Sequence, residues 1–124
     1  VKKRYFNFLV FLDGNHKTVL EKRKGKGIWQ NLYQFPLIET PHETTEKTFG
    51  LLAKEHPLVK DVDFELLLYN SEAIVHKLSH QHLYTRFWIV KTDVSLPNGV
   101  PTSQIRNYAV PVLIGNFIEA FNFQ

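Results

Sequence analysis

The stretch YFNFLVFL, Tyr5 to Leu12, constrains this chain more than any other. It is apolar on both of the faces a strand presents, so a strand built from it is buried on both sides. Such a strand belongs inside a sheet that lies between other layers. The chain has 124 residues, which is enough to bury a sizeable core and short enough that one domain spanning 1–124 is expected. Ten Phe, five Tyr and two Trp supply much of that burial.

Asp13 to Asn15 (DGN) reads as a turn, since Gly and Asn tolerate positive φ. Lys17 to Lys22 (KTVLEK) is expected to pair back as the second strand of a hairpin. Arg23 to Gly27 (RKGKG) breaks the pattern with glycine and charge. Ile28 to Pro36 (IWQNLYQFP) reads as an aromatic-rich loop in which Trp29, Leu32, Tyr33 and Phe35 serve packing.

A helix is expected to start at Thr40 to Glu43 (TPHE), with Thr40 as N-cap, Pro41 in the first turn and Glu43 completing a capping box. Phe49, Leu52, Ala53 and His56 follow at helical spacing, and Pro57 stops the helix. Three strands are expected next: FELLLY from Phe64, AIVHKL from Ala73 and LYTRFWIV from Leu83. Asn70 and Ser71 mark the turn between the first two. Phe87 and Trp88 are strand residues. Leu96 onward (LPNGVP) is a loop, and Val110 to Ile118 is a terminal helix with Pro111 in its first turn. The order predicts an α+β fold with a mixed or antiparallel sheet between helices.

Several chemistries are excluded within these residues. Without cysteine there is no disulfide, thiolate zinc site, iron–sulfur cluster or cysteine nucleophile. No apolar run approaches the roughly 20 residues of a membrane-spanning helix. The chain has no Met and takes on strand character almost at once, so it reads as an excerpt of a longer protein.

Charge is unevenly placed. Lys2, Lys3, Arg4, Lys17, Lys22, Arg23, Lys24 and Lys26 lie within the first 26 positions, against Asp13 and Glu21. Such a bias suits either a solvated surface or a face for a polyanion, nucleic acid above all.

A strand pair, glycine-rich turn, G-x-W and Pro before a helix resemble the layout of a Nudix hydrolase. That family needs a carboxylate-rich helix to hold Mg²⁺ against pyrophosphate. Here the corresponding stretch, Glu46 to Glu55, reads EKTFGLLAKE, with Thr, Phe, Gly and Leu where ligands belong. His76, His80 and His82 share strand parity, which could present three imidazoles to a zinc ion. The interruption Ser79–Gln81 is expected to bend the chain and break that parity. Ser79 beside His80 is no nucleophilic pair by sequence adjacency alone.

Three segments resemble the C-terminal domain of MutY-type adenine DNA glycosylases, in the right order and over nearly the whole chain. GKGIWQNLYQFPLIE, Gly25 to Glu39, resembles its G-x-W-x-x-L-W-x-F-P-x-x-E stretch, with Lys22 and Arg23 in place of the usual basic pair. HKLSH, His76 to His80, resembles its H-x-F-S-H segment. YAVPVLI, Tyr108 to Ile114, resembles its Y-A-L-P-x-P end. The resemblance implies a Nudix-like fold without Nudix catalysis and no cofactor in this domain. It also implies a separate N-terminal domain, bearing a 4Fe-4S cluster, that flips and excises adenine.

The expected partners are double-stranded DNA containing 8-oxoguanine opposite adenine and that N-terminal domain, with no membrane contact. The chain is expected to be a monomer, and its compartment a bacterial cytoplasm, in association with DNA. By the family's pattern Ser79 reads the lesion, with His80 beside it. Leu78 stands where the family usually has Phe. Lys22, Arg23, Lys24, Lys26, Lys77, His82 and Arg86 are candidates for phosphate contact, which positions a duplex without reading it. A Nudix hydrolase with an atypical metal site and a protein-interaction module are the competing readings.

Overall fold

The computed structural model describes residues 1–123. Strand β1, Lys2–Leu12, is central. It runs parallel to β8, Gln81–Lys91, in register from Lys2↔Gln81 to Leu12↔Lys91. On its other side β5, Leu37–Thr40, pairs antiparallel, with Tyr5 opposite Thr40. The far edge of β8 is shared end to end by β6, Glu65–Leu68, and β7, Ile74–Lys77, both antiparallel. The result is a mixed five-stranded sheet.

Both faces of β1 are covered, as the apolar run requires. On one face helix α1, Glu46–Lys54, sets Phe49 and Ala53 against Leu9, Phe11, Trp88 and Val90. Phe49 stacks on Trp88 at 4.3 Å. On the other face helix α2, Val112–Phe121, packs Leu113, Ile114, Phe117 and Ile118 over Phe6, Phe8, Val10, Leu83, Phe87 and Ile89. Phe117 stacks on Phe87 at 4.1 Å. The expected α+β class, a mixed sheet between helices, is what the chain adopts.

Three local expectations are corrected. Lys17 to Lys22 does not pair with β1, which is held by β8 along its whole length on one edge and by β5 over Tyr5–Phe8 on the other. Instead β2, Lys17–Thr18, pairs with β9, Val100–Pro101, and β3, Glu21–Lys22, pairs with β4, Tyr33–Gln34. A polar segment could not replace the apolar β8 in the buried centre of the sheet. The turn after β1 is held by Asp13, whose carboxylate accepts from the amides of Asn15 (2.8 Å), Lys17 (3.0 Å) and Leu96 (3.0 Å).

Thr40 is not the helix cap. It belongs to β5, and its hydroxyl donates to the His42 carbonyl at 2.7 Å. The N-cap is Thr45, whose hydroxyl accepts from the Thr48 amide at 3.1 Å. His56 lies beyond the helix, with its ring 5.6 Å from that of Phe11.

The terminal helix is shifted. Pro111 is the N-cap rather than a first-turn residue, and the helix runs on to Phe121 before Asn122 ends it in a left-handed conformation (φ 58°). A 3-10 helix, Thr102–Asn107, precedes it. The expected break at Asn70 takes a specific form. Its side chain donates to the Thr85 carbonyl at 2.9 Å and accepts from the Phe87 amide at 2.8 Å, standing in for strand backbone between β6 and β7.

Candidate nucleic-acid interface

Ser79 and His80 form the two-residue turn between β7 and β8. The Leu78 amide donates to the Gln81 carbonyl at 2.8 Å, and Lys77 and His82 face each other just below. The Lys2 amide donates to the His80 carbonyl at 3.2 Å, so β1 pins the turn from the side. Both turn residues are exposed. Among the described residues, neither the amide nor the hydroxyl of Ser79 has a hydrogen-bond partner.

Leu78 does not point outward with them. It is half-buried and packs against the core on the α2 side, so it anchors the turn. His76 shares that face, opposite Leu83, and its ring lies 6.0 Å from the indole of Trp29. Trp29 in turn meets Phe6 edge-on at 6.1 Å. The Trp29 backbone is left-handed (φ 59°), as are Asn31 (φ 69°) and Gly27 (φ 128°). A left-handed tryptophan is costly in backbone terms. Here it places a large ring between the core and the hairpin.

That loop is held at its base by Arg23. Its Nε donates to the Ile28 carbonyl (3.2 Å) and a terminal nitrogen to the Gln34 side chain (3.3 Å). Its backbone exchanges hydrogen bonds with Leu32 and Asn31. Burial, and then the charge of Arg4, hold the Arg23 guanidinium below its ordinary value. Lys22, Lys24 and Lys26 around it are exposed.

Arg86 is used otherwise than the sequence suggested. It ion-pairs with Glu43, and it donates to the carbonyls of Thr44 at 3.0 Å and Ser71 at 2.8 Å. Its guanidinium therefore ties the segment before α1 to the β6–β7 turn and is not free for a phosphate. Lys77 and His82 are neighbours on one rung of the hairpin, with Lys77 exposed.

A residue pair that sequence reasoning missed lies under the turn. Arg4 holds Glu39 through two hydrogen bonds of 2.8 and 2.7 Å, donates to the Gln81 side chain at 3.1 Å, and lies 4.8 Å over the Phe6 ring. The Arg4 bonds draw the Glu39 carboxyl below its usual range, against an opposing effect of burial. No local signal could have found this group, because the register of β1 against β8 and β5 brings it together.

The geometry also bears on metals. His76 and His82 sit on adjacent rungs and therefore point to opposite faces of the sheet. The inward positions of α1 are Phe49 and Ala53 rather than carboxylates. A groove of about 770 Å³ beside α1 mixes Glu46, Glu55, Asp61 and Asp63 with Lys47 and Lys60. Among the described residues no three His, Cys, Asp or Glu side chains form a group able to hold a metal ion. The divalent-metal site of Nudix hydrolysis thus does not fit the residues present. Among those residues, too, no helix is long and apolar enough to cross a membrane.

The family model for the NUDIX domain matches residues 7–120. No curated protein sequence matches the chain. Among solved structures it resembles the C-terminal domain of mouse MUTYH, seen in complex with human PCNA, at 15% identity and a TM-score of 0.67. That match covers 95% of this chain and 86% of the mouse domain. It also resembles MutT, described for Aliivibrio salmonicida and Vibrio cholerae, at 10% identity and a TM-score of 0.62, with 96% of each chain covered. The chain therefore belongs to the NUDIX domain family and has the fold of the MutY-type C-terminal domain.

Proposed function

We propose that this chain recognises 8-oxoguanine in duplex DNA, as the non-catalytic domain of an adenine DNA glycosylase acting on 8-oxoguanine·A and G·A mismatches in base-excision repair. The observation that carries the reading is the Ser79–His80 turn, exposed at the end of the β7–β8 hairpin with the Ser79 amide and hydroxyl unspent.

The chemistry follows from the lesion. Oxidation makes C8 a carbonyl acceptor and turns N7 from an acceptor into a donor. A backbone N–H donating to O8 and a hydroxyl accepting from N7–H match both changes from one small residue. His80 lies beside Ser79, against the base or its backbone. Leu78 supports the turn from the core side.

Lys77 and His82 flank the turn, and Lys22, Lys24 and Lys26 are exposed, so these remain the phosphate candidates. Arg86 drops out of that set, and Arg23 acts mainly by holding the loop that carries Trp29. Excision, and the iron–sulfur cluster, belong to a separate N-terminal domain. The setting is DNA-associated, the cytoplasm in a bacterium.

The test is a ¹⁵N NMR titration of the chain at low salt with duplexes that differ only in 8-oxoguanine·A against G·A. The expected result is larger shifts at Leu78–His82 with the oxidised duplex, and a smaller difference in Ser79→Ala, which loses the hydroxyl and keeps the backbone N–H. Equal shifts for both duplexes would assign Ser79 to a plain turn.

A further inference from the structure

The sheet face beneath α1 is only partly covered. The helix lies over Leu9, Phe11, Trp88 and Val90, and the Glu43–Thr44 segment reaches Arg86. Between Arg86 and the Ser79–His80 turn lie two rungs of the sheet in which Lys3, Val75 and Lys77 are exposed and Tyr5, His82 and Tyr84 half-buried.

The rung nearer the turn is Lys77, His82 and Lys3, side by side across β7, β8 and β1. The next is Val75, Tyr84 and Tyr5 on the same strands. The two tyrosine rings stack at 5.3 Å with 23° between their planes, and the Lys3 ammonium lies 5.7 Å from the centre of the Tyr84 ring. Val75 is 41% exposed, and Lys3 and Lys77 are exposed. None of the six residues is acidic.

Half-buried, mutually stacked rings beside exposed lysines offer two things at once, a π surface for a base and positive charge for the adjoining phosphates. That pairing is how sequence-tolerant binders hold single strands. An acidic peptide would use the lysines but gain little from the tyrosine pair. An apolar partner would have to desolvate two ammonium groups for one valine and two rings.

We infer that this two-rung platform binds a single strand of DNA, with a base against the Tyr84–Tyr5 pair and phosphates at Lys3 and Lys77. The inference rests on the DNA-binding reading above and extends it. The lesion turn continues the same β7 and β8 strands, so the platform would hold unpaired nucleotides next to the lesion.

The test is fluorescence anisotropy of this chain at low salt with two labelled probes. One is an oligothymidylate of about eight nucleotides, within the site size of such surfaces. The other is an abasic deoxyribose-phosphate strand of the same length. Tyr84→Ala should weaken oligothymidylate binding about tenfold and leave the abasic strand unchanged, while Tyr84→Phe should bind as the unaltered chain does. Should Tyr84→Ala unfold, Tyr84→Ile, which suits a strand, carries the same expectation.

Lys3→Gln with Lys77→Gln should weaken both probes and lower the salt slope by about 1.4, at roughly 0.7 for each single-strand phosphate contact. Equal oligothymidylate binding by the unaltered and ring-less variants would overturn the platform. So would failure of the unaltered chain to bind either probe, which would leave the face to a protein partner. Neither probe contains an oxidised base, so failure of lesion reading in the duplex titration would not move these results.

Discussion

Trp88 and Asn7 face each other inside the α1 side of the sheet. The indole N–H donates to the Asn7 side-chain oxygen at 3.0 Å, 81 positions away in sequence. Asn7 passes the connection on through its own amide, to the Ile38 carbonyl at 3.1 Å and the Thr40 hydroxyl at 3.2 Å. One buried polar residue thus links the three strands β5, β1 and β8, and it is the single polar member of the run Tyr5 to Leu12.

Replacing it should be costly. Asn7→Leu removes the acceptor and leaves the buried Trp88 N–H without a partner, a penalty of about 1–3 kcal/mol. Urea unfolding followed by tryptophan fluorescence should show the midpoint falling. The companion change Asn7→Leu with Trp88→Phe removes the orphaned donor and should recover part of the loss. No recovery would mean that the cost lies in packing alone.

Gly14 turns the chain where it leaves β1. A Cβ there would lie 2.2 Å from the Asp93 carbonyl oxygen, and that backbone atom has no easy way to yield. Gly14→Ala is expected to destabilise by about 1–3 kcal/mol, the usual cost of overpacking. At Gly25 an added Cβ meets nothing within 4 Å, so Gly25→Ala serves as the control. A thermal melt of the pair separates them.

Stability should fall as pH drops below neutrality. Burial lowers the His56 value, against a smaller opposing effect of Glu21, and its Nδ1 accepts from the Leu58 amide at 3.2 Å. Folding therefore favours neutral imidazole, and that contribution begins to fade as pH falls through the unfolded value near 6.5. Burial alone would raise the Asp13 carboxyl, but the amides of Leu96, Asn15 and Lys17 together bring it below its ordinary value. Its contribution is present above the unfolded carboxylate value and is lost at lower pH still. Urea titrations at pH 7.5 and 5.5 should show a smaller pH difference for His56→Gln than for the unaltered chain. An unchanged difference would remove His56 as the cause.

Arg86 and Lys77 should separate in a duplex-binding assay. Lys77→Gln is expected to lower the salt slope by about one while leaving the melting temperature nearly unchanged. Arg86→Gln should do the reverse. It should destabilise the chain, because Glu43 and the carbonyls of Thr44 and Ser71 lose their donor, and it should leave the slope alone. A reduced slope for Arg86→Gln would return that residue to the phosphate set.

The buried run of β1 and the apolar pattern of α2 were legible because burial on known faces leaves a period in the sequence. The hairpin turn at Ser79 was legible as an interruption between strand-like runs. The partner of Lys17 to Lys22 was not, because strand pairing depends on which edges are already taken. Thr40 reads as the cap because Glu43 follows it at capping-box spacing, and only its pairing with Tyr5 takes it into β5 and leaves the cap to Thr45. Arg86 read as a free cation because its anchors, Glu43 and Ser71, lie 43 and 15 positions away. The same holds for Arg4, Glu39 and Gln81, which meet only through sheet register.

The parallel pairing of β1 with β8 also governs how the chain comes into being. During synthesis β1 emerges before the other strands of its sheet, with both edges unpaired and both faces apolar, and its main neighbour follows roughly eighty residues later. At about 5–20 residues per second that is a delay of several seconds. Over that interval a strand apolar on both faces waits without its parallel partner, the condition in which strand edges pair with other chains. Shielding β1 until β8 arrives is therefore a condition for folding, set by the order of the strands in the sequence.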